Sequence, residues 1–179
     1  MRSVLYILGS LSDEDVGWFV GNGEKLPLSA GAPLVVEGES LDAIYIVLEG
    51  TLRVHRKGAA DSFAELQAGE LVGELSLLDS RPPSASVSAV DEAWVLRIPR
   101  NRLNAKLETD LGFASRMYRA MGVFLAHRLR QMIQQNARGA GAKSLTDVRD
   151  EDEIDPEVLE ASALAGTRFQ WMLRKLASS

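Results

Sequence analysis

Residues 72–87 read VGELSLLDSRPPSASV and hold the side chains whose type and spacing are best suited to chemistry. Gly73 and Glu74 open the stretch, the short amphipathic run Leu75-Ser76-Leu77-Leu78 follows, and after a polar turn Ser84-Ala85-Ser86-Val87 alternates as a strand does. A loop, one helical turn and a strand are expected. Such a turn leaves its first backbone N–H groups without intrahelical partners, and those donors favour an anion in front of them. A carboxylate beside that anion has a different task. Glu74 is placed to accept a hydrogen bond from a sugar hydroxyl while backbone donors hold a phosphate.

On Gly73, Glu74, Leu75, Ser76, Leu77, Leu78, Ser84, Ala85, Ser86 and Val87 the stretch resembles the phosphate-binding cassette of the cyclic nucleotide-binding domain family. That family includes protein kinase A regulatory subunits, cyclic-nucleotide-gated channels and catabolite-activator-type transcription factors. The resemblance extends to Gly31, Glu37-Gly38, Asp42, Ile44-Tyr45-Ile46-Val47 and Gly50, and spans residues 11–135. It implies a mainly β, α+β fold: an antiparallel β-roll (a double-stranded β-helix, jelly-roll-like) with a short N-terminal helix and C-terminal helices. One of these would be a long dimerisation helix lying over the nucleotide pocket. It further implies cyclic AMP or cyclic GMP as effector, no required cofactor, and a ligand site at Gly73, Glu74, Leu75, Ser76, Ser84 and Ala85.

One position departs from the family pattern. Pro83 stands where the family places the arginine that neutralises the cyclic phosphate. Proline has neither charge nor N–H, so Pro82 and Pro83 remove two backbone donors as well as the guanidinium fork. Hydrogen bonds to charged groups contribute roughly 1.5 to 3 kcal/mol each, so the loss should weaken binding by at least about tenfold. Arg81, two positions earlier, either swings in beside Ser84 to restore the charge or caps the turn and faces solvent. Two functional readings follow. In one the chain is a sensor whose ligand biases the long C-terminal helix; in the other the roll is retained as an interaction module that no longer binds nucleotide.

The elements that must position these residues can be read in chain order. Val4, Leu5, Ile7 and Leu8 are expected to pack against the main domain. Ser12-Asp13-Glu14-Asp15 has the form of a capping box, with Asp15 in place of the usual glutamate, opening a short helix that Gly21-Asn22-Gly23 stops. From residue 24 to 98 short strands alternate with turns: 24–28, 33–36, 43–49, 51–56, 62–66, 70–72, 84–90 and 93–98. After Pro99, Leu103, Leu107 and Leu111 recur at helical spacing. Beyond Gly112 the seam continues through Ala114, Tyr118, Met121, Leu125, Arg128 and Met132, with a second stripe at Phe113, Met117, Ala120 and Phe124. Two stripes on one helix predict either a homodimer through residues 111–135 or a helix that wraps its own domain twice.

Gly139-Ala140-Gly141-Ala142 predicts a boundary, dividing a domain at 1–138 from a linker and terminal helix at 139–179. The linker includes an acidic run, Asp147 to Glu160, which is either solvated or pairs with the arginines of the preceding helix. The terminal helix, Pro156 to Leu176, gathers Val158, Ala165, Phe169, Met172 and Leu176 on one side, with Trp171 extending it. It is expected to dock on its own protein or to bind a protein partner.

Composition narrows the field. With 179 residues and 46% apolar content the chain can bury a core, and a net charge of −5 argues against a protein built mainly to bind nucleic acid. The absence of cysteine excludes disulfides and thiolate chemistry and fits a cytoplasmic protein. No run suits a signal peptide or membrane span. Only His55 and His127 are present, too few for a histidine metal site, so each is expected at the surface or an interface. No nucleophile–base pair, P-loop or paired-acid site is recognisable, and no helix-turn-helix with a basic recognition helix follows the long helix. A non-enzyme that does not bind DNA directly is expected.

Overall fold

In the computed structural model, residues 3–58, 62–79, 81–139 and 156–177 are described. The expected β-roll forms. Its strands are β1 (Glu24–Leu28), β2 (Pro33–Val35), β3 (Ala43–Glu49), β4 (Thr51–His55), β5 (Ser62–Gln67), β6 (Leu71–Val72), β7 (Ser86–Ala89) and β8 (Ala93–Pro99). They make two four-stranded sheets, ordered β1-β8-β3-β6 and β2-β7-β4-β5, with every pairing antiparallel. The β3–β4 turn depends on Gly50: its φ is +85° and a Cβ would lie 2.6 Å from the Ala93 Cβ, so a side chain is barred both by conformation and by space.

Strand β3 explains the layering. Side chains of a strand alternate between faces, and here both faces are apolar and buried. Ala43, Tyr45 and Val47 point into the roll, where they join Val35, Leu52, Val54, Leu66, Val87 and Val95. Ile44, Ile46 and Leu48 point the other way, onto a helical layer that contributes Ile7, Leu8, Phe19, Leu103, Phe113 and Met117. The register opposes Ile44 to Ile98 and Val47 to Val95, so β8 divides its side chains in the same manner.

The helical layer begins with α1 (Ser3–Ser10) and α2 (Asp13–Asn22). The capping box exists as expected: the Asp15 N–H donates to Ser12 Oγ at 3.2 Å and the Ser12 N–H to Asp15 Oδ2 at 2.8 Å. Asp15 also ties α2 to the long helix, since Arg116 donates to its two oxygens from Nε at 2.7 Å and Nη2 at 2.9 Å. Burial opposes ionisation of this carboxyl, but the Arg116 and Ser12 hydrogen bonds together with the guanidinium charge outweigh it and lower the pKa.

Beyond the roll the structure corrects the helix readings in three places. The helix expected to run on from Pro99 breaks at Asp110 into α4 (Arg100–Thr109) and α5 (Leu111–Gly139). Asp110 is extended, and its Oδ1 accepts the Phe113 N–H at 2.8 Å, so it starts the second helix rather than continuing the first. Next, the two stripes of α5 are divided differently. Phe113, Ala114, Met117, Ala120, Met121 and Phe124 form one buried face, while Tyr118 from the expected first seam is half exposed. Tyr118 instead shares an exposed apolar side with Leu111, Leu129 and Ile133, positions spaced by seven, eleven and four along the helix.

The third correction concerns the terminal helix, α6 (Pro156–Ala177). Ala165, Phe169, Met172 and Leu176 are buried in the helical layer against α1 and α2, but Trp171 lies on the exposed side. Arg168 fixes the docking through Asp13 Oδ1 and the Leu8 carbonyl, each at 2.7 Å. Lys25 of β1 donates to the Leu176 carbonyl at 3.4 Å. The side chain of Val158 and residues 140–155, which include most of the expected linker and acidic run, lie outside the described residues.

Candidate functional site

The polypeptide leaves β6 at Val72 and turns at Gly73, whose φ of +93° favours glycine and whose Cβ would come within 2.8 Å of a Leu41 methyl. This turn starts α3 (Glu74–Asp79), the expected helical turn. Leu75 and Leu78 are exposed on α3 while Ser76 is buried. An extended segment then brings the chain to β7. Its Pro83 carbonyl accepts the Gly38 N–H at 2.9 Å, and Ser86 Oγ accepts the Glu37 N–H at 3.0 Å, which fastens the segment to the β2–β3 loop. Ser84 is exposed and Ala85 half-buried.

These segments border a cleft of about 580 Å³, within the range of small-molecule sites. Val35, Val54, Leu66 and Val87 contribute apolar lining from inside the roll, and Gly73, Glu74, Leu75 and Ser76 line it together with Arg81 to Ala85. The structure therefore brings all the expected site residues to one cleft. The α5 helix adds Leu125, Arg128 and Leu129. An occupant of this cleft would touch the cassette, the roll interior and the long helix together.

The charges are arranged unevenly. Arg81, on the rim, is 84% exposed at its side chain, with Nε 3.8 Å from Asp79 Oδ2, and its backbone N–H donates to Asp79 Oδ1 at 3.0 Å. Glu74 is only 4% exposed. Its Oε1 accepts from Arg128 Nη1 at 3.1 Å. Burial raises the Glu74 pKa, and the neighbouring charge of Glu70 adds to the effect. Hydrogen bonds from the Glu74 and Gly73 backbone and the charge of Arg128 oppose it without overcoming it.

Arg128 is the cationic lining residue that the sequence reading did not assign to the site. Its signal was present as a cation within an otherwise apolar helical seam, where burial is expensive unless the charge has a partner. The partner comes from a strand–helix turn more than fifty positions earlier, a pairing that spacing alone does not reveal. A second cleft, about 570 Å³, lies by Glu24, Asp42 and Arg97, but these charges engage one another: Arg97 meets Glu24 at 3.1 Å and Asp42 at 2.7 Å. His55 is held by the Arg56 carbonyl and Ser88 Oγ, at 2.9 and 3.0 Å; the His127 side chain is not among those described. Among the described residues no group of three or more metal-ligating side chains occurs and no helix is long and apolar enough to cross a membrane.

Comparison with known proteins agrees with this architecture. The family model described as "Cyclic nucleotide-binding domain" matches residues 25–110. The solved N-terminal domain of a transcriptional regulator from Streptomyces coelicolor A3(2) is 30% identical, with 75% of this chain and 95% of that one covered and a TM-score of 0.59. The catabolite activator protein of Thermus thermophilus is 25% identical over 94% of this chain and 84% of its own, also with a TM-score of 0.59. Among curated proteins, lysophospholipase NTE1 of Chaetomium globosum is 28% identical over 123 residues, which is 67% of this chain and 8% of that enzyme. The chain thus spans less than a tenth of the length of that curated relative.

Proposed function

The chain belongs to the cyclic nucleotide-binding domain family, and from that premise we propose that it is a cytoplasmic, non-enzymatic regulatory sensor whose cleft takes a cyclic nucleotide, cyclic AMP or cyclic GMP. The observation that carries the reading is the cleft itself: buried Glu74 stands at the start of α3 while α5 supplies the facing residues, so ligand and long helix share contacts. In the proposed pose the phosphate lies at Gly73 to Ser76 with Ser84 and Ala85 beside it, Glu74 receives the ribose hydroxyl, and Arg81 borders the site. Binding shifts α5 to the extent that the ligand prefers one helix position over another.

The output surface is proposed to be the exposed side of α5. Leu111 is 79% exposed, and Tyr118, Leu129 and Ile133 continue the stripe, which suits pairing with the same helix of a second copy. The sensor is assigned to residues 1–138 and the linker with the terminal helix to 139–179; α6 docks on α1 and α2 through its buried side and offers Leu164 and Trp171 on the other to a protein partner. No direct role in DNA binding or catalysis is assigned.

A second reading is favoured by Pro83 and by the outward course of Arg81: a roll that has lost nucleotide binding and serves as an interaction module. Calorimetric titration of nucleotide-free protein with cyclic AMP and cyclic GMP separates the two. Saturable binding that Glu74→Ala weakens is the expected result. A flat titration with both, and no thermal shift at high ligand concentration, would leave the module reading in its place.

A further inference from the structure

We propose that Arg128, carried by α5, supplies the guanidinium that neutralises the ligand's anionic group in this cleft. The inference rests on the nucleotide reading above and names the residue that makes it workable without the cassette arginine. The cassette has no cation where Pro83 stands, and the arginine nearest to it in sequence, Arg81, is turned to solvent beside Asp79. Arg128 instead lines the cleft and keeps a 41% exposed side chain while Nη1 reaches a carboxylate that is itself buried.

The hydrogen-bonding arithmetic separates Arg128 from a purely structural arginine. A guanidinium has five N–H donors in a rigid fork, matched to carboxylate and phosphate oxygens. Arg116 closes its fork on Asp15 with two bonds. Among the described residues Arg128 makes a single hydrogen bond, to Glu74, and its cation sits 5.9 Å from the Phe124 ring centre. That leaves Nε and Nη2 to meet an anion in the cleft while Nη1 stays on Glu74. Glu74 then has two tasks, accepting the sugar hydroxyl and aiming the fork.

Because α5 carries this charge, the ligand's anion would be held by the helix that forms the proposed output surface. The same interaction would therefore supply affinity and link the ligand directly to helix position.

The test is calorimetric titration of the full chain with cyclic AMP and cyclic GMP, comparing the natural protein with Arg128→Gln, Arg128→Lys and Arg81→Ala, with melting curves to verify folding. Arg128→Gln should weaken binding of the preferred nucleotide at least tenfold. Arg128→Lys, which keeps the charge but cannot hold Glu74 and the anion together through a fork, should recover only part of that loss, and Arg81→Ala should change affinity less than threefold. Unchanged affinity in Arg128→Gln, full recovery in the lysine variant, or a loss confined to Arg81→Ala would overturn the assignment while leaving nucleotide binding intact. Absence of binding by the natural protein to either nucleotide would remove the nucleotide reading and this inference together.

Discussion

Helix α5 grips two buried carboxylates, and it grips them differently. Asp15, 2% exposed, receives two bonds from Arg116 and sits in a reciprocal capping box with Ser12. Glu74, 4% exposed, receives one bond from Arg128 at the edge of an open cleft. Both side chains are nearly closed to solvent, yet the Asp15 pKa falls and the Glu74 pKa rises. Burial is the largest influence at both sites: at Asp15 the Arg116 and Ser12 hydrogen bonds with the guanidinium charge outweigh it, whereas Glu74 lies more deeply within the protein and its backbone hydrogen bonds and the Arg128 charge do not. The Asp15 pair holds helices together. The Glu74 pair leaves the cost of burying its charge incompletely offset.

The sharpest way to break this comparison is to remove the first charge. Asp15→Asn keeps the shape of the cap but leaves Arg116 without its partner. Breaking a fully buried pair costs about 3 to 5 kcal/mol, and because Arg116 is partly hydrated the expected cost here is nearer 2 to 3 kcal/mol. This corresponds to a fall in melting temperature of roughly 5 to 10 °C, measured by circular dichroism. A melting temperature within a degree of the natural protein would show that Asp15 is no anchor.

A somewhat smaller loss is expected from Gly73→Ala, which disturbs the Glu74 side of the comparison without altering its charge. The positive φ and the approach to Leu41 together should cost about 2 kcal/mol, read from urea unfolding, with nucleotide affinity falling alongside stability. If stability falls and affinity does not, Glu74 is not held in place by this turn.

The smallest effect, and the most discriminating, has the opposite sign. Glu74→Gln removes a charge whose burial is incompletely offset, so at neutral pH the variant should be as stable as the natural protein or more stable by up to about 1 kcal/mol. The folded-state pKa of Glu74 is raised, so its contribution to stability is fully present below the unfolded value and is lost as pH rises through the folded value. The advantage of Glu74→Gln should consequently shrink on acidification. Asp15 is lowered, so its contribution is present above the unfolded value and lost as pH falls through the folded one. The penalty of Asp15→Asn should shrink on acidification as well. Melting curves from about pH 7 down to about pH 2 should show the Glu74→Gln gain shrinking first and the Asp15→Asn deficit shrinking only below about pH 4. Parallel curves would remove the distinction between the pairs.

The roll was legible because its information is local. Turn residues punctuate short apolar runs from residue 24 onward, and the observed strands keep within a few positions of those runs. The cassette was legible for the same reason, as one continuous stretch whose residues meet at one cleft. What the sequence concealed depends on distant partners. Helix α1 is short, and its Ile7 and Leu8 are buried in one core with Ala165, Phe169, Met172 and Leu176 of α6, which begins more than a hundred residues later; the side chains of Val4 and Leu5, also expected to pack, lie outside the described residues. The side of α5 that faces the roll is decided by Phe19, Ile44 and Ile98 as much as by its own periodicity, which is why Tyr118 and Met121, three positions apart, separate into exposed and buried. The break at Asp110 was a local signal overlooked: an N-cap aspartate three positions before the backbone N–H that it satisfies.

Strand β3 has a consequence for how the chain finds its fold. In most half-buried strands, slipping by one residue drives apolar side chains into water, and that penalty protects the pairing. Ala43 to Leu48 are buried on both faces, so a slipped strand would exchange Ile44 and Ile46 for Tyr45 and Val47 with little change in the apolar surface covered. The alignment must therefore be enforced at the strand's ends. At one end Gly50 permits a turn that no other residue fits, and at the other the Arg100 N–H donates to the Asp42 carbonyl at 2.7 Å. These two clasps pin a register that hydrophobic burial alone would leave degenerate.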